Sequence, residues 1–311
     1  MPCSCGGDDR DLSRRQFVAQ GAAALGGAMA LGRLASAQQR KEDQLERLPD
    51  APARAVEDPT ILVENAAFQS GGRDIQAIIA RPKSSGRRAA VLVIPGNWLI
   101  EPYIAEISAM LAQAGFVGIA IDPYPQFPRK ATWEEAQAVP AEETQKILRE
   151  QWTDAGFLQE MADARAWALK LPFVTGERVA LLGFCGGGWN SILFAADHPD
   201  AAFAVVAFYA PPDAAKRFDR PRSVLDVIER LSTPTQFHYG TRDGNIPMAD
   251  VERLRGRLAT LKVRTDVHVY EGADHGFLAF NRTQRYEPEA AAQAWDRAVE
   301  WLARRAPPFR P

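Results

Sequence analysis

Three side chains in this sequence carry the means for covalent chemistry, and each stands in a turn. Cys185 lies in Leu181-Leu182-Gly183-Phe184-Cys185-Gly186-Gly187-Gly188, an apolar run that breaks into glycines. This has the G-x-nucleophile-x-G form, with Cys in the place usually held by Ser. A sharp strand-to-helix turn strains the nucleophile's backbone, and small residues two positions either side let strand and helix approach closely. The turn presents the thiol at the top of a sheet. It also sets the thiol at a helix N-terminus, whose partial positive charge favours the thiolate. The Gly186 amide then points where an attacked carbonyl oxygen gains negative charge. A Walker-type phosphate loop requires Gly-Lys-Ser/Thr, and Gly188-Trp189-Asn190 supplies none of it. Plain packing glycines beside a buried thiol remain the alternative on this stretch alone.

Two later loops bring the groups that such a nucleophile needs. Residues 235–239 run into Gly240-Thr241-Arg242-Asp243-Gly244-Asn245, where an Asp ordinarily serves its own turn. Residues 267–270 run into Glu271-Gly272-Ala273-Asp274-His275-Gly276-Phe277. Of the four histidines, His198 follows a helix end, and His238 and His268 fall within strands; only His275 lies in a loop after a strand. The three groups appear as nucleophile, acid and base, each after a strand, which is the chain order of α/β-hydrolases. Trp98, Trp189, Tyr209 and Phe277 stand beside these loops, as pocket lining or as ordinary core. Arg129 and Arg282 could grip a substrate carboxylate bidentately, or sit solvated at the surface.

These loops need a frame. Apolar alternation over 61–68 and 75–80, split by Ser70-Gly71-Gly72, predicts an opening hairpin. Residues 89–94 form a continuous apolar run ended by Pro95-Gly96, as in a buried parallel strand. Strands follow at 116–121, 179–183, 203–209, 235–239 and 265–270. Helices are expected at 103–114, 143–169, 187–196, 248–261 and 288–305, with an irregular, partly helical excursion over 213–232. Strand and helix by turns predict a mostly parallel central sheet with helices on both faces, preceded by an antiparallel hairpin. Ligands bind such sheets outside the carboxyl ends of the strands.

The chain of 311 residues, 46% hydrophobic and 24% charged, has globular values, long enough for a large core. Its net charge is -2, and no basic stripe interleaved with aromatics supports nucleic-acid binding. Ser13-Arg14-Arg15-Gln16-Phe17, a mild Ala/Gly/Leu stretch and Ala35-Ser36-Ala37 form an export signal of twin-arginine type. Gln20, Arg33 and many glycines make the stretch a poor lipid-spanning helix, so the mature chain is not expected to insert stably in a membrane. The expected organisation is a signal over 1–37, a flexible lead-in over 38–58 and a single domain over 59–311. The precursor would meet the export machinery, and the mature protein would be periplasmic or secreted. Cleavage removes Cys3 and Cys5 and leaves Cys185 as the one thiol, so no intramolecular disulfide can form. A thiol redox or metal protein is disfavoured, since the mature chain lacks both a resolving cysteine and a clustered ligand set.

From 61 to 305 the chain resembles the dienelactone hydrolase family. The likeness rests on Gly183-Phe184-Cys185-Gly186-Gly187, Arg242-Asp243-Gly244-Asn245-Ile246-Pro247, Gly272-Ala273-Asp274-His275-Gly276-Phe277 and the tail Arg285-Tyr286-Glu287-Pro288. The segment Asn97-Trp98-Leu99-Ile100-Glu101-Pro102-Tyr103-Ile104 is similar to the family's loop before its first long helix. The resemblance implies Cys185 as nucleophile, His275 as base and Asp243 as orienting acid, acting on cyclic or activated esters and lactones with no metal or organic cofactor. One departure stands out. Where the resemblance implies a Glu that controls the thiol's protonation, this chain has Gly96. The same loop is expected to supply a second oxyanion amide, from Asn97, beside that of Gly186. Rival expectations are a ligand-binding homologue without catalysis and a general esterase without dienelactone activity.

Overall fold

A computed structural model describes residues 52–96, 102–122, 154–213, 220–280 and 284–309. The strands are β1 (Ile61–Ser70), β2 (Arg73–Pro82), β3 (Ala90–Ile94), β4 (Val117–Ile121), β5 (Val179–Phe184), β6 (Ala202–Phe208), β7 (Thr235–Gly240) and β8 (Thr265–Tyr270). The helices are α1 (Pro102–Gln113), α2 (Asp154–Ala168), α3 (Gly186–Asp197), α4 (Val224–Val227), α5 (Met248–Leu258) and α6 (Pro288–Ala303).

The strands form an 8-stranded sheet in the order β1-β2-β4-β3-β5-β6-β7-β8. The β1–β2 and β2–β4 pairs are antiparallel, and the rest are parallel. The hairpin is longer than expected. Gly71 and Gly72 take φ of 55° and 76°, so a two-residue turn with both centres left-handed lets pairing continue to Ser70↔Arg73. Polar residues of the extension therefore join the ladder despite lacking an apolar pattern. Strand β6 ends one residue early, at Phe208, because Tyr209 turns to φ 40°.

Two connections leave the centre of the sheet in opposite directions. From β3 the chain passes through α1 to β4 on one side; from β5 it passes through α3 to β6 on the other. Right-handed crossovers then put α1 on one face and α3 to α5 on the opposite one. The loops after β3 and β5 diverge, and the crevice between them is where such sheets take ligands. Gly96 and Cys185 lie there.

Rings at matching register positions stiffen the sheet below this crevice. Phe184 on β5 stacks on Phe208 of β6 at 5.2 Å, and Phe208 stacks on His238 of β7 at 4.6 Å. Tyr103 of α1 meets Phe184 edge-on at 5.7 Å. Strands β3, β4, β5, β6 and β7 are buried along their whole length; β3 to β6 are accordingly unbroken apolar runs, whereas β7 buries the polar Thr235, Gln236 and His238.

Pro52–Pro311 forms one compact unit. The last part of the expected lead-in, Pro52–Glu57, is a 3-10 helix, with Ala55 buried against Ala109 and Ala112 of α1. The Val56 N–H donates to Glu106 of α1 at 3.2 Å. The expected signal, and the part of the long helical stretch before Asp154, lie outside the described residues. Among the described residues, no helix is long and apolar enough to cross a membrane.

Candidate active site

The turn after β5 has the strained form expected of it. Cys185 takes φ 52° and ψ -118°, and α3 starts at the next residue. A side chain at Gly183 would put its Cβ 2.4 Å from the Gly187 carbonyl oxygen; one at Gly187 would come within 2.3 Å of the Ile94 and Pro95 oxygens. The glycines thus let α3 run against its own strand and against the β3 loop. A left-handed non-glycine residue costs about 1–3 kcal/mol, held here by the Cys185 N–H on Phe208 O at 2.9 Å and Trp189 N–H on Cys185 O at 3.0 Å.

The loops after β7 and β8 are fastened to each other before either reaches the thiol. Thr241 N–H donates to Tyr270 O at 3.0 Å, and Arg242 N–H to Ala273 O at 2.9 Å. Gly272 N–H donates to the Thr241 hydroxyl at 2.9 Å. Asp243 divides its two oxygens. Oδ1 accepts from Asn245 N–H at 2.8 Å, the ordinary duty of an Asp in such a turn. Oδ2 meets His275 Nδ1 at 2.8 Å. The carboxylate side chain is 1% exposed and that of His275 9%.

With Nδ1 on Asp243, the other ring nitrogen of His275 is left for Cys185, and the two side chains are hydrogen-bonded. Burial pushes the thiol up, but the His275 charge, its hydrogen bond and the Gly186 amide together bring Cys185 below its ordinary value. Burial likewise opposes charge on His275. The thiolate and the Asp243 carboxylate overcome it, and the imidazole is pushed up to about 10. The arrangement favours thiolate beside imidazolium.

Gly186 donates to the sulfur. Gly96 lies against Cys185: a Cβ there would stand 3.3 Å from Cys185 Cβ and from Phe184 O. Asn97, Trp98, Arg129 and Arg282 fall outside the described residues. Tyr209 packs on the imidazole, ring centroids 4.9 Å apart. Phe277 is fully buried behind Tyr209, edge to face at 5.7 Å. Trp189 is buried on α3 under the Arg220 guanidinium, 5.1 Å from the ring centroid.

Two features had no reading in the sequence. One is the left-handed backbone of Tyr209, for which the only local hint is the Ala210-Pro211-Pro212 that follows. The other is a buried chain in which Tyr270 OH meets His238 Nδ1 at 2.8 Å and His238 Nε2 meets Gln236 Oε1 at 2.9 Å. Gln236 Nε2 continues to His268 Nε2 at 3.1 Å. Alternation along β7 and β8 could have placed these four residues on one face, but not shown them as bonded.

Known proteins match this chain along most of its length. The profile of the family described as "Dienelactone hydrolase family" matches residues 75–306. A Synechocystis protein assigned as a carboxymethylenebutenolidase is 31% identical over 229 residues, 73% of this chain and 90% of that protein. A Bradyrhizobium protein assigned as a 2-oxo-3-(5-oxofuran-2-ylidene)propanoate lactonase is 31% identical over 247 residues, 78% and 94% of the two chains. Among solved structures, one from Klebsiella pneumoniae assigned as a dienelactone hydrolase superposes with TM-score 0.71 at 28% identity, covering 78% of this chain and 98% of the other.

Proposed function

This chain belongs to the dienelactone hydrolase family, and we propose that it hydrolyses carboxylic esters and lactones through a thioester on Cys185. The observation that carries the reading is the unbroken line from Asp243 Oδ2 through His275 to the thiol at a strained strand-to-helix turn.

The Cys185 thiolate attacks the ester carbonyl carbon, forming a C–S bond while the carbonyl π electrons move to oxygen. The Gly186 amide, with that of Asn97, receives this oxyanion. The oxyanion then collapses and the C–O bond to the leaving group breaks. His275, an imidazolium in the resting pair, gives its proton to the departing alkoxide or enolate. In a lactone that oxygen stays tethered to the acyl chain. Neutral His275 next takes a proton from water, whose oxygen attacks the thioester, and the carboxylic acid leaves as Cys185 returns to thiolate. Thiolate is itself a good leaving group, so the first tetrahedral intermediate goes forward best when the ester is activated. Strained lactones and enol esters therefore suit the site better than amides, and the names of the lactonase and butenolidase relatives fit that preference.

Gly96 bears on how the thiol is activated. Gly96 packs beside Cys185 but brings no carboxylate, so the activating groups are His275 and the Gly186 amide. Trp98 and Tyr209 are proposed as the apolar surround of the substrate, whereas Phe277, fully buried behind Tyr209, and Trp189, buried on α3, are core rather than the pocket lining expected of them, and no metal or organic cofactor takes part. The precursor is proposed to leave the cytoplasm by twin-arginine export, supported by Arg14-Arg15 and Ala35-Ser36-Ala37.

The test is hydrolysis of dienelactone, simple lactones and p-nitrophenyl acetate by wild type, Cys185→Ser and Cys185→Ala. Activity on activated esters or lactones that Cys185→Ala loses is expected. Retained p-nitrophenyl acetate hydrolysis by Cys185→Ala would sink the assignment.

A further inference from the structure

We propose that Tyr209 is a positioning residue for His275: the turn after β6 presses its ring on the imidazole, holding one edge on Asp243 and the other towards Cys185, while its π face favours the imidazolium. The inference rests on the Cys185 chemistry proposed above.

Cys185 and Tyr209 are the two non-glycine residues with positive φ among the described residues. They follow neighbouring strands, and both are tied to the sheet. Cys185 N–H donates to Phe208 O at 2.9 Å, and Tyr209 N–H to His238 O at 2.7 Å. The next residue is held as well, since the Tyr239 hydroxyl donates to Ala210 O at 2.9 Å. Strain of this kind persists where the surroundings over-determine it, and it collects at functional sites. A ring that merely filled the core would not need a left-handed backbone.

The ring's neighbours say what the strain achieves. Its centroid lies 4.9 Å from that of His275, with the planes inclined at 55°. On other sides it meets Phe277 at 5.7 Å and Phe184 at 6.1 Å, so it cannot swing away from the imidazole. The charged groups facing the imidazole from other elements are the Asp243 carboxylate and the Cys185 thiolate. From its own loop, Asp274 Oδ1 accepts the His275 backbone N–H at 2.6 Å. The two anions hold opposite edges of the imidazole, and Tyr209 covers a face. A cation within about 6 Å of an aromatic centroid is attracted by the ring, more strongly when water is excluded.

Imidazolium is the form that protonates the leaving group, and its loss sets the alkaline limb of kcat/KM. The experiment measures kcat/KM for a simple lactone, whose alkoxide leaving group needs that proton, against pH for wild type, Tyr209→Phe, Tyr209→Leu and Tyr209→Asn, with thermal unfolding of each. Asn accepts a left-handed backbone, so it removes the ring without adding strain. Phe is expected to keep the alkaline limb of wild type. Leu and Asn are expected to move it about one pH unit lower, a tenfold change in the equilibrium. They are also expected to lose about tenfold in kcat/KM at neutral pH, from the looser imidazole. Unmoved limbs in folded Leu and Asn variants would overturn the proposal, as would a Phe limb displaced as far as that of Leu. Failure of both Leu and Asn to fold would mark Tyr209 as core packing and overturn it too. Activity that survives Cys185→Ala would instead overturn the function on which the proposal rests.

Discussion

Replacing Asp243 by Asn tests the coupling of acid, base and thiol with almost no change of shape. Asp243 Oδ1 already accepts the Asn245 N–H at 2.8 Å, so the amide oxygen of Asn must stay on that side. The amide NH2 then falls where Oδ2 stood, 2.8 Å from His275 Nδ1. A donor now faces Nδ1, which must become an acceptor, and the ring proton moves to the nitrogen that faces Cys185. In that tautomer the imidazole cannot take the thiol proton. An unassisted thiol with a pKa of ~8.5 is about 3% thiolate at neutral pH, a loss of roughly 30-fold. The charge-assisted bond to the imidazolium is worth about 1.5–3 kcal/mol, or roughly 10- to 150-fold. The two effects overlap, so kcat/KM at pH 7 is expected to fall by about 10²- to 10³-fold. The assay pairs hydrolysis with the rate of Cys185 alkylation by iodoacetamide, each followed from pH 5 to 10. Alkylation of Asp243→Asn should rise steeply near and above pH 8.5 and close on wild type there. An Asp243→Asn protein alkylated as fast as wild type at pH 6, with unchanged unfolding, would refute the coupling.

Further outcomes follow from the same geometry. Gly183→Ala should destabilise the protein by roughly 1–3 kcal/mol or more in urea unfolding, since its Cβ meets backbone at 2.4 Å rather than a side chain that can yield; unchanged stability would contradict the elbow packing. His238 is held neutral by burial, well below its ordinary value, with His268 and Arg297 adding to this. The unfolded chain therefore binds the extra proton first, so stability should fall as pH drops below ~6.5, and His238→Gln should lose part of that acid sensitivity. Glu160 has the opposite sign. Burial raises it to about 7 against the pull of Arg73, so its contribution is full below the ordinary value of 4.5 and lost as pH rises through about 7; Glu160→Gln should flatten that slope. Exported protein should begin at Gln38 by N-terminal sequencing, and Arg14→Lys with Arg15→Lys should leave the precursor in the cytoplasm.

The parts of this protein that could be read in advance share a physical basis. The buried strands β3 to β6 are continuous apolar runs, and a strand-to-helix turn that admits only glycine spells itself out around Cys185. Asp243 and His275 could be singled out because each stands in a loop that directly follows a parallel strand, β7 or β8. The order of the strands put Gly96 beside Cys185 without any local signature, since that contact depends on the chain reversing direction between β3 and β5. Tyr209 was legible as an aromatic near the site but not as a strained one. Its conformation comes from bonds to β7, far along the chain, and no residue preference announces it. The His238 chain was hidden for a similar reason: a polar residue in a strand reads as exposed unless its partners on the next strand are known.

The fate of the acyl group tests the proposed role of Cys185 most directly. Wild type mixed with an activated ester, quenched in acid within the first turnover and digested, should carry one acyl group on the peptide containing Cys185, and that adduct should vanish on treatment with neutral hydroxylamine. An acyl group found on another residue, or full turnover by Cys185→Ala with no adduct, would contradict it.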